Sequence, residues 1–139
     1  MAFEHQKIKT YEHWTLYLHE NQCYLGRTYL WANRLDAVDF IETTWDEQNE
    51  FFKIATELKS VLNQLFNPDI YNYSSLGNIS NHLHLHIIPR YSDIRKFKEF
   101  TFIDKQWGKN YSPYDATFDI GESRFFDLKT TLKDKLDQY

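Results

Sequence analysis

Apolar and polar residues alternate over residues 14–18, in a run rich in β-formers that predicts a strand. A polar connection follows, and Gly26 precedes a second predicted strand over residues 27–32, where Tyr29, Leu30 and Trp31 favour extended backbone. The two read as a hairpin with a longer loop. Near Thr44 the period changes. Thr44-Trp-Asp-Glu47 has the form of a capping box, in which hydroxyl and carboxylate satisfy each other's orphan amides. Apolar residues then recur at Phe51, Ile54, Ala55, Leu58, Val61, Leu62 and Leu65, a helical stripe that runs to Phe66 and ends at Asn67-Pro68-Asp69. The stripe reads as core packing. Strands are predicted over 70–74 and over 82–88, the latter closed by Pro89, with residues 76–81 as a tight connection. Residues 91–114 read as irregular, polar and aromatic. A second helix is predicted over 122–137, with Phe125, Leu128, Leu132 and Leu136 on one face. Strands joined mostly by hairpins, with two main helices, predict an α+β fold around an antiparallel sheet of about five strands.

Composition narrows the class. The 139 residues suit one domain, residues 1–139, and 18% aromatic content is too high for a disordered chain. A net charge of -4 offers no basic surface, so no nucleic-acid polymer is expected as a partner. Cys23 is the single cysteine, which excludes an internal disulfide framework. No signal-peptide stretch and no membrane span is evident, so a cytoplasmic protein is expected.

Three of the six histidines, His82, His84 and His86, fall within five residues. On a strand they project to one side, and Leu83, Leu85 and Ile87 project to the other. Chance placement on a core strand is a poor account, because each buried imidazole needs its own hydrogen-bond partners. Two chemistries remain. Imidazoles bind metals, but ligands at alternate positions spread over roughly 13 Å of strand, too far for both outer rings to reach one ion. Two of them with His13, His19 or an acidic residue would still make a site. The other chemistry is nucleophilic attack on phosphorus by an imidazole whose second nitrogen is held protonated, with its neighbours donating to phosphoryl oxygens.

The run His82-Leu-His84-Leu-His86-Ile-Ile88 has the pattern His-φ-His-φ-His-φ-φ, with φ apolar, and resembles the histidine-triad (HIT) family of nucleotide hydrolases and transferases. Asn72-Tyr73 and Leu76-Gly77-Asn78 upstream and Pro89-Arg90-Tyr91 downstream extend the likeness, which is nearest to the bacterial branch similar to diadenosine-tetraphosphate hydrolases. Gly26 sits where that family has a glycine before a strand. The likeness covers about residues 14–91, within a core of about 10–91, and leaves 92–139 as an extension with a terminal helix.

The resemblance implies that His84 attacks the α-phosphorus to form a nucleotidyl-histidine that water resolves, with its other ring nitrogen held by a backbone carbonyl such as that of His82. His86 would contact the phosphate and His82 would shape the site. Asn78 matches a phosphate-contacting position, Asn72 one nearby, and His19 or Asn21, with Asn21 preferred, would lie near the ribose. No cofactor and no obligatory metal is implied, and the partners implied are a nucleotide and a second copy of the chain, joined sheet to sheet. Trp107, Gly108, Asn110 and Tyr111 read as packing or interface. Two departures stand out. Arg27 replaces a fourth histidine of many relatives and offers a fork of donors to phosphate or to a carboxylate. Ile79 replaces a serine or threonine that assists the leaving group. Both departures favour the alternative of a nucleotide-binding module with little catalysis; a metal-dependent hydrolase is the other alternative.

Overall fold

The computed structural model describes residues 3–139. The chain runs through β1 (Lys7–Thr10), β2 (Trp14–Leu18), β3 (Thr28–Ala32), α1 (Trp45–Phe66), β4 (Ile70–Ser74), β5 (His84–Arg90), β6 (Arg95–Phe97), β7 (Phe100–Phe102) and α2 (Glu122–Leu136). Five strands form one antiparallel sheet in the order β1-β2-β3-β5-β4, and β6 and β7 form a separate hairpin. The fold is α+β, with two main helices.

The capping box at α1 is complete. Glu47 N donates to Thr44 Oγ1 at 3.1 Å, and Thr44 N donates to Glu47 Oε1 at 2.8 Å. Asn67 ends the helix in the left-handed region at φ 48°, a conformation asparagine tolerates better than most residues. The stripe Phe51, Ile54, Leu58, Val61, Leu62 and Phe66 is buried against Leu16, Leu18, Leu30 and the inner face of β5. Each such side chain contributes roughly 1.5–3 kcal/mol through its removal from water. Gly26 has φ +88°, and a Cβ there would lie 2.7 Å from Leu62 Cδ2. Glycine is required because the backbone turns against α1.

Apart from β3, which begins at Thr28 rather than at Arg27, the strands differ from expectation at three places. β5 begins at His84 rather than at His82 and continues through Pro89 to Arg90. Pro89 lies beyond Ile87, the last residue with a β3 partner, so on that side no N–H is required. β1 carries no alternating apolar signal, because Ile8 is the sole buried residue of its four. Residues 91–114 are not wholly irregular, since β6 and β7 pair there through Lys98 and Glu99, at φ 49° and 65°. Hairpin turns of that kind ordinarily advertise themselves with glycine or asparagine.

The extension is tied to the sheet by a buried ion pair. Arg90 Nε and Nη2 donate to Asp104 Oδ2 and Oδ1 at 2.7 and 3.1 Å, and its remaining donors go to Asn72 Oδ1, Lys109 O and Gln106 O. Asp104 also accepts from Tyr91 N and Gln106 N. α2 then returns to pack against α1 and β1. No described helix is long and apolar enough to cross a membrane.

Candidate active site

Strand alternation and register build the site. Leu83, Leu85 and Ile87 are buried in the core, so the histidines face the other side. On that side Trp31 of β3 lies opposite His84, Tyr29 opposite His86, and Ser74 of β4 opposite His86 on its other flank. His82 precedes the strand, held in place because Leu83 N donates to Ala37 O and Leu83 O accepts from Ala32 N. The rings form a row. Trp31 stacks on His82 with centroids 4.4 Å apart and on His84 at 5.6 Å; His84 and His86 are 5.2 Å apart, and His86 and His19 5.7 Å.

The hydrogen bonds of the row assign its protons. His84 Nδ1 lies 2.8 Å from His82 O. A carbonyl oxygen only accepts, so Nδ1 carries the hydrogen, and the Nε2 lone pair of neutral His84 is free. His82 Nε2 donates to Ala32 O at 2.7 Å by the same logic. Burial, helped by the charge of Arg27 and by His84, pushes the His86 pKa down to about 3. Burial also pushes His19 down to about 3, with Arg27 and His86 adding to the effect. Both rings are therefore neutral at pH 7, and Arg27 is the charged group beside them.

Two cavities meet at His84. One, of about 330 Å³, is lined by Gln6, His19, Tyr29, Trp31 and His86, with Ile79 and Ser80 at its rim. Its walls are mainly aromatic, which suits a planar ring. The other, of about 460 Å³, lies between residues 38–41 and 75–77 and reaches His82. A further cavity of about 340 Å³ lies between β6–β7 and residues 114–118, beside Cys23. Burial raises the Cys23 thiol to about 11, so at neutral pH this third space holds no thiolate nucleophile.

The remaining expected residues fall in different places. Asn78 is exposed in the connection before β5, between Gly77, which lines one cavity, and Ile79, which lines the other. Asn72 lies on the histidine face but accepts from Arg90 and belongs to that network. Asn21 is engaged on both sides of its amide: Nδ2 donates to Asp115 O at 2.8 Å and Oδ1 accepts from Cys23 N at 3.0 Å. Its neighbour His19 lines the aromatic cavity instead. Arg27 is 3% exposed and lies under Tyr111 and Tyr114, with its guanidinium carbon 5.5 and 4.7 Å from their ring centres.

Trp31, Tyr29 and Gln6 were not anticipated at the site. The alternation of β3 carried the signal for the first two, once its register against β5 is known; Gln6 precedes β1, for which the sequence offers no signal. Among the described residues no group of three His, Cys, Asp or Glu side chains is close enough to hold a metal ion.

Comparison with known proteins identifies the family and the fold. The profile of the HIT domain matches residues 4–93. The fold is similar to that of a histidine triad protein from Marinobacter aquaeolei VT8, at TM-score 0.79 and 19% identity over 99% of this chain and 93% of that one. It is also similar to a histidine triad protein from Sinorhizobium meliloti 1021, at TM-score 0.78 and 18% identity over 96% and 93% of the two chains. A third, from Bradyrhizobium japonicum, gives TM-score 0.77 and 18% identity over 97% and 94%. Among curated proteins none matches the chain.

Proposed function

The chain belongs to the HIT domain family, generally nucleotide hydrolases or transferases, and from that premise we propose that it cleaves a nucleotide at its α-phosphate through a covalent adduct on His84. The observation that carries the reading is the His84 Nδ1–H···O=C His82 hydrogen bond, which leaves Nε2 as a free nucleophile beside an aromatic cavity. Nε2 attacks the α-phosphorus and forms the P–N bond. The bond from phosphorus to the leaving group breaks, and the leaving group departs with the electron pair. The imidazolium so formed keeps its Nδ1 proton on the His82 carbonyl. Water then attacks phosphorus and gives up a proton to solvent, the P–N bond breaks, and the nucleoside monophosphate leaves as His84 Nε2 regains its lone pair.

His86 faces the same space and contacts the phosphoryl oxygens, while His82, fixed by Ala32 and Trp31, sets the carbonyl that orients His84. Asn78, between the residues that line the two cavities, contacts a phosphate that bridges them. The likeness of residues 82–91 to diadenosine-tetraphosphate-hydrolase-like proteins supports a dinucleoside-polyphosphate-like substrate, and no step requires a metal. The same reading makes the chain a homodimer joined through sheet edges. β4 is an edge strand with Ile70 and Tyr73 half exposed, and light scattering should give twice the 16.9 kDa chain mass.

The test is a panel of dinucleoside polyphosphates and nucleotide phosphoramidates, assayed with and without chelator. Release of nucleoside monophosphate that chelator does not reduce and His84→Asn abolishes is the expected outcome. Tight binding without turnover on any substrate would instead favour a binding module, and activity lost on chelation would favour a metal-dependent enzyme.

A further inference from the structure

Among the described residues, five buried side-chain polar atoms have no hydrogen-bond partner, and three of them belong to two neighbours in this site: Arg27 Nε, Arg27 Nη1 and His86 Nδ1. A buried guanidinium without an acceptor is costly, by roughly 1–3 kcal/mol or more for each group left unmet. The aromatic faces of Tyr111 and Tyr114 offset part of that cost, but they accept no N–H in the plane of the guanidinium. No carboxylate pairs with Arg27, whereas the equally buried Arg90 has all its donors met. The contrast marks one arginine as structural and the other as waiting for an anion.

Its position says which anion. Arg27 immediately precedes β3, so by alternation it shares the face of Tyr29 and Trp31, one step beyond the Tyr29–His86 pair as seen from His84. Its charge is felt at both His86 and His19. A chain of phosphates that starts at His84 and passes His86 arrives at this guanidinium. Tyr111 and Tyr114 above it are only half buried; the Tyr111 hydroxyl is hydrogen-bonded to Ser74 Oγ, so entry of the ligand rests on displacement of the Tyr114 ring.

Resting on the nucleotide reading above, we infer that Arg27 with His86 forms a second phosphate subsite, so that the preferred substrates carry an anionic phosphate chain rather than an amine on the α-phosphorus. The leaving-group chemistry agrees. His86 and His19, neutral down to about pH 3, are not charged acids at pH 7, and Ile79 at the rim has no proton to give. A phosphate leaves as its anion without protonation, whereas an amine must collect a proton to leave. A cation beside the path also repels an ammonium-bearing leaving group.

The test is calorimetric titration of the wild-type chain with AMP and with α,β-methylene-ADP, which cannot be cleaved at the bridging atom. The analogue should bind about tenfold tighter or more, as expected of a charge-assisted fork. Arg27→Met should erase that gain while leaving AMP affinity within about twofold, and Arg27→Lys should keep part of it. Equal affinity of the two ligands for the wild type, or a gain that Arg27→Met retains, overturns the subsite and makes Arg27 a packing residue. If AMP also fails to bind, the nucleotide reading itself falls; if AMP binds and the analogue gains nothing, only the subsite does. The wild-type comparison stands even if a variant misfolds.

Discussion

Trp31 lies almost parallel to His82, with ring centres 4.4 Å apart and planes 18° from parallel. The same indole covers His84. The contact fixes two imidazoles from one side while hydrogen bonds to Ala32 O and His82 O fix them from within the backbone. Orientation is therefore set by packing as well as by polar contacts, and a nucleophile misplaced by about 1 Å can cost on the order of a hundredfold in rate.

Replacing Trp31 should accordingly slow the chemistry more than it harms the fold. Trp31→Ala is expected to lower kcat by roughly tenfold to a hundredfold, with Trp31→Phe retaining most of the activity. Steady-state kinetics with a thermal melt for each variant separates the two effects. An unchanged kcat in Trp31→Ala would remove the indole from the account.

Asp104→Ala should destabilise the chain strongly. It strips the carboxylate from Arg90, whose side chain is 3% exposed, and leaves a buried cation. Breaking such a pair typically costs about 3–5 kcal/mol. Urea denaturation monitored by circular dichroism would measure it, and a loss near zero would mean that water enters to replace the carboxylate.

Stability should fall on acidification with a slope traceable to His86 and His19. Both pKa values are lowered from 6.5 to about 3 on folding, so between those limits the unfolded chain binds more protons than the folded one. Stability is therefore fully present above about pH 6.5 and is lost progressively as pH falls toward 3. His86→Gln should reduce the slope of unfolding free energy against pH by up to one proton. Equal slopes for the two chains would show that His86 titrates normally in the fold.

Much of this was legible in the sequence because local and tertiary signals agree there. Thr44 and Glu47 announce α1, and Leu83, Leu85 and Ile87 announce which face of β5 carries the histidines. Where the register of one strand on another decides, sequence was silent. Trp31 and Tyr29 become site residues only because β3 pairs with β5 as it does. Asn21 and Asn72 have the right chemistry for a ligand, and the sequence could not show that Asp115 O accepts from the Asn21 amide nitrogen or that Arg90 donates to the Asn72 amide oxygen, contacts 94 and 18 residues apart in sequence. The buried Arg90–Asp104 pair belongs to the same category. Arg27 was visible as a departure from the family pattern, yet only the fold reveals that its Nε and Nη1 have no acceptor.

The proposed chemistry turns on a covalent bond between phosphorus and one ring nitrogen of His84. Rapid acid-free quenching of the wild-type chain during turnover, followed by peptide mass spectrometry, reads it directly. One nucleotidyl group is expected on the peptide that carries residues 82–86, localised to His84 by fragmentation and absent in His84→Asn. Undiminished turnover in His84→Asn, or an adduct found on His86 in its place, would contradict it.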